Sequence, residues 1–286
     1  MTALPPALPR VMVEDAVRAA LLEDLGRAGD ITTNATIAEE ATAKAVLASR
    51  EDGVISGLIF ARTAFALTDP AIVFTPLVKD GDRVKPGHEI ARIEGNARAI
   101  LSAERVALNF LMHLSGIASY TARFADLIAH TKAKVCDTRK TIPGLRAAEK
   151  YAVRCGGGSN HRFGLDDAIL IKDNHIAVSG GVAKAILAAR AYVGHLVSVE
   201  VEVDSLEQMK EALTASPDVI LLDNMGPELL EKAVEINAGS ARLEASGGIA
   251  FDTIKAVAET GVDYISTSKI TMAAPTLDLG LDIGIG

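Results

Sequence analysis

Three apolar runs recur at nearly even intervals in the C-terminal half of the chain, and polar residues end each run. They read VSVEVEVD (197–204), DVILLDNM (218–225) and ARLEASGG (241–248). The interval of about 21 residues is that of a compact strand-helix unit, and helical apolar patterns fill the gaps. Because parallel strands need crossover helices, the repeat predicts a parallel sheet with helices packed outside it.

The same rhythm continues in three further runs. They read AKVCDTRK (133–140), AILIKDNH (168–175) and DYISTSK (263–269). Six strands are therefore expected, fewer than the eight of a regular barrel. The residues leave two architectures open, an incomplete α/β barrel and an open doubly wound sheet. Both bind ligands at the carboxyl ends of their strands, so the polar residues that end these runs form the candidate site.

The N-terminal third has a different pattern, because short β-like runs there alternate with turn signals. The runs are AKAVLASR (43–50), GVISGLIFA (53–61), AIVFTPLV (71–78) and HEIARIEG (88–95). A helix is predicted over 11–25, and a long helix is predicted to begin after Ser102, whose side chain suits an N-cap.

The predicted fold class is α/β, in two domains. A β-rich N-terminal α/β sandwich domain is expected over 1–112 and an α/β barrel catalytic domain over 113–272. The C-terminal tail, 273–286, is expected to pack back on the first domain.

Composition excludes several classes of function. The 286 residues include 37 acidic and 29 basic residues, a net charge of −8, whereas nucleic-acid binders usually carry positive charge. Aromatic residues make up 4% of the chain, which disfavours single-stranded nucleic-acid platforms and carbohydrate-stacking clefts. The longest uncharged run, Val106–Ala122, is shorter than the roughly 20 apolar residues of a membrane-spanning helix and is expected to be a buried helix.

The cysteines and the first residues indicate a compartment. Cys136 and Cys155 form neither a disulfide framework nor a zinc motif, and packing is their expected role. The first ten residues lack the basic and apolar regions of a secretory signal. We therefore expect a cytoplasmic protein that binds neither nucleic acid nor membrane.

Positive charge is concentrated in one stretch of the chain. Between Lys132 and Lys172 there are nine basic and four acidic residues, a net +5, so the rest of the chain carries −13. A solvated basic surface is one interpretation. However, Arg139, Lys140 and Lys172 stand at predicted strand ends, and a cleft lined by Arg and Lys binds small carboxylates or phosphates.

Two glycine-rich segments add a phosphate site to the prediction. GGGSNHR (156–162) allows close approach of backbone to a ligand. SGG (246–248) and STS (266–268) follow the last two predicted strands, where α/β barrels bind phosphate through backbone N–H groups.

Acidic residues complete the candidate site. Glu200, Glu202 and Asp204 alternate along one predicted strand and so share a face. With Asp223 on the next strand they could hold Mg²⁺ or ribose hydroxyls, although helix capping and salt bridging are alternative roles. Cations, a phosphate loop and acids for Mg²⁺ together favour phosphoribosyl transfer to a carboxylated acceptor.

These residues belong to a longer set of segments in a fixed order. The segments are ERVALNFL (104–111), HLSGIAS (113–119), DTRKTIPGLR (137–146), EKYAVR (149–154), GGGSNHR (156–162), IKDNH (171–175), EVEVD (200–204), LDNM (222–225) and EASGGI (244–249). The set resembles the quinolinate phosphoribosyltransferase family (nicotinate-nucleotide pyrophosphorylase, carboxylating). The pairing of DTRKT with GGGSNHR is specific, and the segments span nearly the whole chain.

The resemblance implies a fold, a reaction and an assembly. The fold would be type II phosphoribosyltransferase-like, with the incomplete barrel. The reaction would convert quinolinate and phosphoribosyl pyrophosphate to nicotinate mononucleotide, pyrophosphate and CO₂ in de novo NAD synthesis, with Mg²⁺ as cofactor. The assembly would be a homodimer with shared active sites, and a higher oligomer is left open.

The resemblance also implies roles for individual residues. Arg105 would reach in from the partner subunit. The remaining substrate-binding residues would be Thr138, Arg139, Lys140, His161, Arg162, Lys172, Glu202 and Asp223. The catalytic residues among them would be Lys140, Lys172, Glu202 and Asp223, with Glu202 and Asp223 also holding Mg²⁺. The 5′-phosphate would be cradled by Ser246, Gly247, Gly248, Thr267 and Ser268.

One loop departs from the family pattern. The family reads SVGALTHS where this chain reads STSKITMA (266–273). Ser268 therefore replaces a glycine, and Met272 stands where histidine is common. A serine N–H still donates to phosphate and its hydroxyl adds a second donor, so the phosphate role of the loop is retained.

Alternatives to the quinolinate enzyme remain. One is a related phosphoribosyltransferase, either a nicotinate-using enzyme or the relative associated with molybdate transport operons. A substrate with one carboxylate would need fewer cations. Another is a carrier or scaffold, because KDGDRVKPGHEIARIEG (79–95) resembles the turn of biotinyl and lipoyl carriers, although no lysine-bearing hairpin tripeptide is evident.

Overall fold

The computed structural model describes residues 7–284. The strands are β1 Thr42–Ser49, β2 Gly53–Val54, β3 Val73–Pro76, β4 Arg83–Val84, β5 Glu89–Asn96, β6 Lys134–Cys136, β7 Ile169–Ile171, β8 Val199–Val203, β9 Val219–Asp223, β10 Arg242–Ser246, β11 Tyr264–Ser266 and β12 Leu279–Gly284. The helices are α1 Arg10–Leu25, α2 Ile31–Thr36, α3 Leu58–Thr68, α4 Ala97–Leu127, α5 Arg146–Cys155, α6 Asp173–Ser179, α7 Val182–Tyr192, α8 Leu206–Thr214, α9 Pro227–Asn237, α10 Ile254–Glu259 and α11 Lys269–Met272.

The chain forms two compact units. The first holds the described residues of Met1–Ala122, Ile142–Gly157 and Ala273–Gly286, and the second holds Arg123–Thr141 and Gly158–Met272. The sequence placed the boundary at 112/113, but the units divide ten residues later, inside the same helix α4, and α5 belongs to the first unit. Apolar spacing is continuous along a helix, so it carries no signal of a division within one.

The first unit is built on an antiparallel sheet in the order β12-β1-β5-β3, beside a two-stranded sheet of β2 and β4. Alternate residues of β1, such as Ala45 and Leu47, are buried, which is the period of a strand with one covered face. The C-terminal tail returns to this unit, because β12 pairs with β1 from Lys44 to Ser49. Residues 285–286 of the tail lie outside the described residues.

Two local predictions in the first unit are wrong. The run 53–61 is a strand only over Gly53–Val54, and α3 begins at Leu58 after Gly57, whose φ is +101°. A short apolar run does not reveal whether its period is that of a strand or a helix. The long helix begins at Ala97 and not after Ser102, because the Asn96 side chain accepts the Ala99 N–H at 3.1 Å and caps the helix.

The second unit confirms all six predicted strands. They form one parallel sheet in the order β6-β11-β10-β9-β8-β7. Strands β7 to β11 neighbour each other in chain order, and β6 lies beyond β11. This is the cyclic order of a barrel left open between β6 and β7, whereas a doubly wound sheet reverses its order at a switch point.

Capping residues and buried strands hold this unit together. The β8 residues Val199, Val201 and Val203 are buried. The Ser205 side chain accepts the Gln208 N–H at 3.4 Å at the start of α8, and Pro227 occupies the first turn of α9. After β8 and β9 the helix begins within four residues of the strand end. Because the six strands are parallel, the residues at their carboxyl ends lie at one edge of the sheet. No helix within residues 7–284 is long and apolar enough to cross a membrane.

Candidate active site

A pocket of about 190 Å³ lies in the second unit, at the carboxyl ends of the parallel strands. Eight predicted site residues line it: Thr138, Arg139, Lys140, His161, Arg162, Lys172, Glu202 and Ser246. Four further residues complete the lining: Leu170, Leu221, Glu244 and Ser266. The pocket is therefore formed by the parallel strands, by the segments that follow them, and by the loop that carries His161 and Arg162.

A buried carboxylate holds that loop to the end of β6. Asp137 is fully buried and accepts the His161 backbone N–H at 3.0 Å and the Asn160 Nδ2–H at 2.5 Å. The Ser159 N–H donates to the Val135 carbonyl at 2.8 Å, which continues the attachment along β6. Sequence reasoning gave Asp137 no role. Its signal was an acid inside an otherwise apolar strand end, followed in the chain by a glycine-rich loop.

Four cationic side chains converge on the pocket. Arg139 and Lys140 follow β6, and Lys172 follows β7. Arg162 donates through Nη1 to the Ala168 carbonyl at 3.1 Å, while its Nε is buried and has no partner among residues 7–284. Burial and the nearby charge of Arg139 lower the pKa of Arg162 below its usual value. Such crowding of like charges is costly without an anion, so the arrangement is complementary to an acidic ligand.

His161 contacts two buried acids from neighbouring parts of the sheet. Its Nε2 lies 2.8 Å from Glu200 Oε2 and 3.8 Å from Glu244 Oε1. Burial, with the charge of Glu200 adding to it, raises the pKa of Glu244 to about 7. Glu200 was expected to hold Mg²⁺ or ribose together with Glu202 and Asp204, but the structure turns it toward His161 instead.

The other acids predicted for the site are separated. Glu202 pairs with Lys172 on the pocket wall. Asp204 lies beyond the end of β8, is exposed and does not line the pocket. Asp223 ends β9 and accepts the Asn224 Nδ2–H at 2.8 Å; it lies at the same edge of the sheet but not in the pocket lining.

The predicted phosphate loops stand at the ends of β10 and β11. Gly247 and Gly248 have φ of +92° and +64°, a backbone that favours glycine. A Cβ on Gly247 would lie 2.1 Å from Asn224 Oδ1, so no larger residue fits there. Thr267 donates its N–H to the Cys136 carbonyl at 3.1 Å, and the Ser268 carbonyl accepts the Met272 N–H at 2.8 Å. Gly247, Gly248, Thr267 and Ser268 do not line the 190 Å³ pocket.

The fold disperses the basic run of the sequence. Four of its nine cations line the pocket, and the other five are Lys132, Lys134, Arg146, Lys150 and Arg154. The last three lie on α5, in the first unit. Arg105 also lies in the first unit, exposed on α4. Fewer than half of the cations in this basic run therefore line the pocket.

The two cysteines are packing residues. Cys136 and Cys155 are both buried free thiols. Burial raises the pKa of Cys155 to about 11, which opposes formation of the thiolate that a nucleophile needs.

The barrel-order sheet and its cationic pocket at the strand ends define a class of protein, an α/β enzyme that acts on small anions. Residues 30–115 match the N-terminal domain of quinolinate phosphoribosyl transferase, and residues 117–282 match its C-terminal domain. The chain belongs to the quinolinate phosphoribosyltransferase family.

Relatives match along most of their length. The chain is 42% identical over 262 residues to a probable nicotinate-nucleotide pyrophosphorylase (carboxylating) of Bacillus subtilis, covering 92% of this chain and 90% of the relative. It is 44% identical over 276 residues to the nicotinate-nucleotide pyrophosphorylase (carboxylating) of Mycobacterium leprae, covering 94% and 96%. The crystal structure of NadC from Streptococcus pyogenes superposes with a TM-score of 0.94 at 45% identity, covering 98% of this chain and 100% of the other.

Proposed function

We propose that the protein transfers the phosphoribosyl group of phosphoribosyl pyrophosphate to quinolinate, with loss of CO₂. The products are nicotinate mononucleotide and pyrophosphate, in de novo NAD synthesis. The observation that carries the proposal is the convergence of Arg139, Lys140, Arg162 and Lys172 on one pocket of about 190 Å³. Quinolinate brings two adjacent carboxylates, which is the charge that this set complements. The names of the relatives describe the same chemistry.

The arginines bind and orient the acceptor. Guanidinium groups of Arg139 and Arg162 bind carboxylates through parallel hydrogen bonds, and Thr138 and His161 lie on the same pocket wall. Fixing both carboxylates directs the pyridine nitrogen to one place. Holding two reactants in the reacting geometry supplies a large part of the rate enhancement in a transfer between two substrates.

The sugar phosphate occupies the neighbouring strand ends in this proposal. A phosphate would approach the backbone of Ser246–Gly248 at Gly248, which adopts positive φ and has open space at its Cβ position, whereas Gly247 packs against Asn224. Thr267 and Ser268 add hydroxyl groups at the end of β11. Glu202 and Asp223 accept the ribose hydroxyls, and Lys140 binds the pyrophosphate side.

The donor set fits Mg²⁺. Glu202 and Asp223 are carboxylates at the ends of neighbouring strands β8 and β9, and Mg²⁺ takes one or two carboxylates together with substrate phosphates. Bound there with pyrophosphate, the ion would stabilise the charge that develops on the leaving group. The requirement for Mg²⁺ is a proposal that rests on this choice of donors.

The chemistry needs no nucleophile from the protein. The bond from C1′ to pyrophosphate breaks, and Lys140 and Lys172 stabilise the leaving charge while the ribosyl group becomes oxocarbenium-like. The pyridine nitrogen then forms the new bond to C1′ and becomes positively charged. The adjacent ring carboxylate leaves as CO₂, its electron pair stays on the ring carbon beside the charged nitrogen, and a proton from water replaces it.

A second copy of the chain completes the site in this proposal. Arg105 is exposed on α4 and is available to a neighbouring subunit. We therefore propose a homodimer in which Arg105 of a second copy contributes to each pocket. A cytoplasmic location stays a prediction from the sequence.

Release of labelled CO₂ tests the proposal directly. Purified protein is incubated with carboxyl-labelled quinolinate, phosphoribosyl pyrophosphate and Mg²⁺, and nicotinate replaces quinolinate in a parallel reaction. Label should appear as CO₂ from quinolinate, and nicotinate should not react. Turnover of nicotinate would instead indicate the nicotinate-using function, and no turnover of either acceptor would contradict the quinolinate proposal.

A further inference from the structure

The wall of the pocket contains a histidine that contacts two buried glutamates. The Nε2 atom of His161 lies 2.8 Å from Glu200 and 3.8 Å from Glu244. Glu200 and Glu244 are 7% and 4% exposed and come from β8 and β10, which flank β9 in the sheet. His161 and Glu244 line the pocket, but Glu200 does not. The imidazole is therefore within hydrogen-bond distance of Glu200, and Glu244 on a different strand lies beside it.

Burying these two carboxylates lowers the folding stability. One carboxylate oxygen of each, Oε1 of Glu200 and Oε1 of Glu244, has no hydrogen-bond partner among residues 7–284. A buried carboxylate oxygen without a donor destabilises the folded state relative to an apolar side chain of the same size. Groups of this kind concentrate at functional sites, where positioning offsets their cost.

The geometry is that of a hydrogen bond and not of a metal site. The ligand atoms of His161, Glu200 and Glu244 lie within 4.8 Å of one another, a spacing compatible with an ion. However, tetrahedral ligands of a metal at about 2.1 Å lie about 3.4 Å apart, and the His161–Glu200 distance of 2.8 Å is shorter. Since an ionised carboxylate can only accept, the ring nitrogen donates to Glu200.

We infer that Glu200 and Glu244 are positioning residues for His161, fixing its imidazole on the wall of the quinolinate pocket. The inference rests on the proposed function for the identity of the ligand. The strands thereby gain a second role. Asp137 at the end of β6 holds the backbone of His161, Glu200 of β8 contacts its ring nitrogen, and Glu244 of β10 lies beside the same nitrogen. Contacts at the backbone and at the ring restrict rotation of the side chain away from the substrate.

The charge of the cluster is compatible with an acidic substrate. Burial raises the pKa of Glu244 to about 7, and the charge of Glu200 adds to this effect. The groups that face the cluster are Asp137 beside Glu244 and Arg162 beside Glu200. Near neutral pH, Glu244 is therefore partly protonated, so the pocket wall repels an incoming dicarboxylate less than two full charges would.

Kinetics of isosteric variants test this inference. Glu200→Gln and Glu244→Gln should each raise the KM for quinolinate about tenfold or more, because a misplaced binding group loses much of its contribution. The KM for phosphoribosyl pyrophosphate should stay within about twofold. In a His161→Ala background, adding Glu200→Gln should change the quinolinate KM no further, since the glutamate acts through the ring.

The surface offers a matched control. His130 Nε2 lies 2.9 Å from Glu259 Oε1 in the same second unit, and both side chains are about half exposed. Glu259→Gln removes an equivalent pair and should leave both KM values unchanged. Histidine ring ¹⁵N spectra supply a readout that does not depend on turnover: Glu200→Gln should shift the signal that His161→Ala removes, and Glu259→Gln should shift that of His130.

The outcomes separate the two proposals. If the wild-type protein does not turn over quinolinate, the proposed function fails, while the ring spectra still report whether Glu200 holds His161. If the wild-type protein is active and Glu200→Gln and Glu244→Gln leave the quinolinate KM unchanged, the inference is overturned. An additional loss from Glu200→Gln in the His161→Ala background would also overturn it.

Discussion

At the amino edge of the parallel sheet a cavity of about 550 Å³ is lined by charged residues, whereas the pocket at the carboxyl edge measures about 190 Å³. In the larger cavity, three of the four charged lining residues belong to local ion pairs. Lys132 lies 2.8 Å from Asp263, and Asp218 lies 2.8 Å from Arg190 beside the cavity. The fourth is Arg242, so the lining carries two cations and two acids and offers little net charge to a ligand.

The acids at the two edges also have different hydrogen-bond partners. At the amino edge, Asp218 accepts the Val199 N–H at 2.7 Å and Asp263 accepts the Leu243 N–H at 2.9 Å, so each ties neighbouring strands together. Among the acids that face the pocket side, Glu200 within β8 contacts the side chain of His161 instead, and Glu202 contacts that of Lys172. Asp218 and Asp263 therefore stabilise the sheet by accepting strand amides, whereas Glu200 and Glu202 contact side chains of the pocket wall. The two edges therefore differ in where their acids are directed, which cavity size does not reveal.

Arg139→Ala should give the largest effect and should separate activity from stability. Removing a charged hydrogen-bonding group from the pocket costs about 1.5–3 kcal/mol of binding, so kcat/KM for quinolinate should fall by about 10- to 150-fold. The thermal midpoint should stay within about 2 °C of the wild type, because Arg139 lies at a strand end in the pocket. Steady-state kinetics and calorimetry measure the two quantities. A large loss of stability with unchanged KM would show that the carboxyl edge is structural as well.

Asp218→Ala, at the amino edge, should lower folding stability and leave activity unchanged. The Val199 N–H loses its acceptor, which costs about 1–3 kcal/mol of folding free energy, while both KM values stay unchanged. Asp218→Asn keeps an acceptor oxygen and should cost less, which makes it the matched control. Denaturant unfolding measures both variants, and a raised quinolinate KM would contradict the division between the edges.

The contribution of Asp218 to folding stability should decrease as the pH falls. Burial alone would raise the pKa of Asp218, but hydrogen bonds from Arg190 and the Val199 amide hold it below its usual value. An acid with a lowered pKa in the folded state stabilises above its unfolded pKa, near 3.9, and that stabilisation is lost as the pH falls through the folded value. The stability difference between the wild type and Asp218→Ala should therefore narrow as the pH drops below about 4.

Glu244→Gln should change the pH dependence of folding stability in the direction opposite to that expected for Asp218→Ala. Because the folded pKa is raised to about 7, the folded protein retains a proton that the unfolded chain releases above its ordinary value of 4.5. Wild-type stability therefore falls between those pH values, by at most about 1.4 kcal/mol per unit, and the variant lacks this fall. Between pH 5 and pH 8 the variant should gain about 1 kcal/mol or more relative to the wild type. Parallel pH profiles of the two proteins would contradict this assignment.

Lys132→Met should have the smallest effect. The side chain of Lys132 is 62% exposed, and an exposed ion pair contributes about 0–1 kcal/mol. Asp263 keeps its second contact, the Leu243 N–H, so the strands stay joined. The thermal midpoint and both KM values should match the wild type within error, and a clear loss of activity would place a ligand at the amino edge.

The sequence predicted the architecture and the cations of the site for one physical reason. Polar residues that end buried strands must gather at one edge of a parallel sheet, so Arg139, Lys140 and Lys172 could be assigned from their positions alone. The six strands were predicted equally well, because apolar runs that alternate with helical patterns are typical of parallel strands joined by crossover helices.

The acidic part of the site was less predictable. Strand period places Glu200 and Glu202 on one face, but depth along the strand decides that Glu200 contacts His161 and Glu202 contacts Lys172. The partner of Glu244, His161, lies 83 positions earlier in the chain, and no local pattern encodes such a pairing. The roles of Arg105 and of the phosphate loops stay predictions.

The pairing of β12 with β1 has a consequence for synthesis of the protein. Strand β1 needs a neighbour on each side, and β5 is made early, but β12 comes from Leu279–Gly284. At about 5–20 residues per second, a ribosome takes roughly 10–40 s to pass from β5 to β12. Throughout that interval one edge of β1 has no partner from its own chain and is open to strands of other nascent chains. The N-terminal sheet is therefore completed only after all six strands of the parallel sheet have been made, although its first strands are made before them.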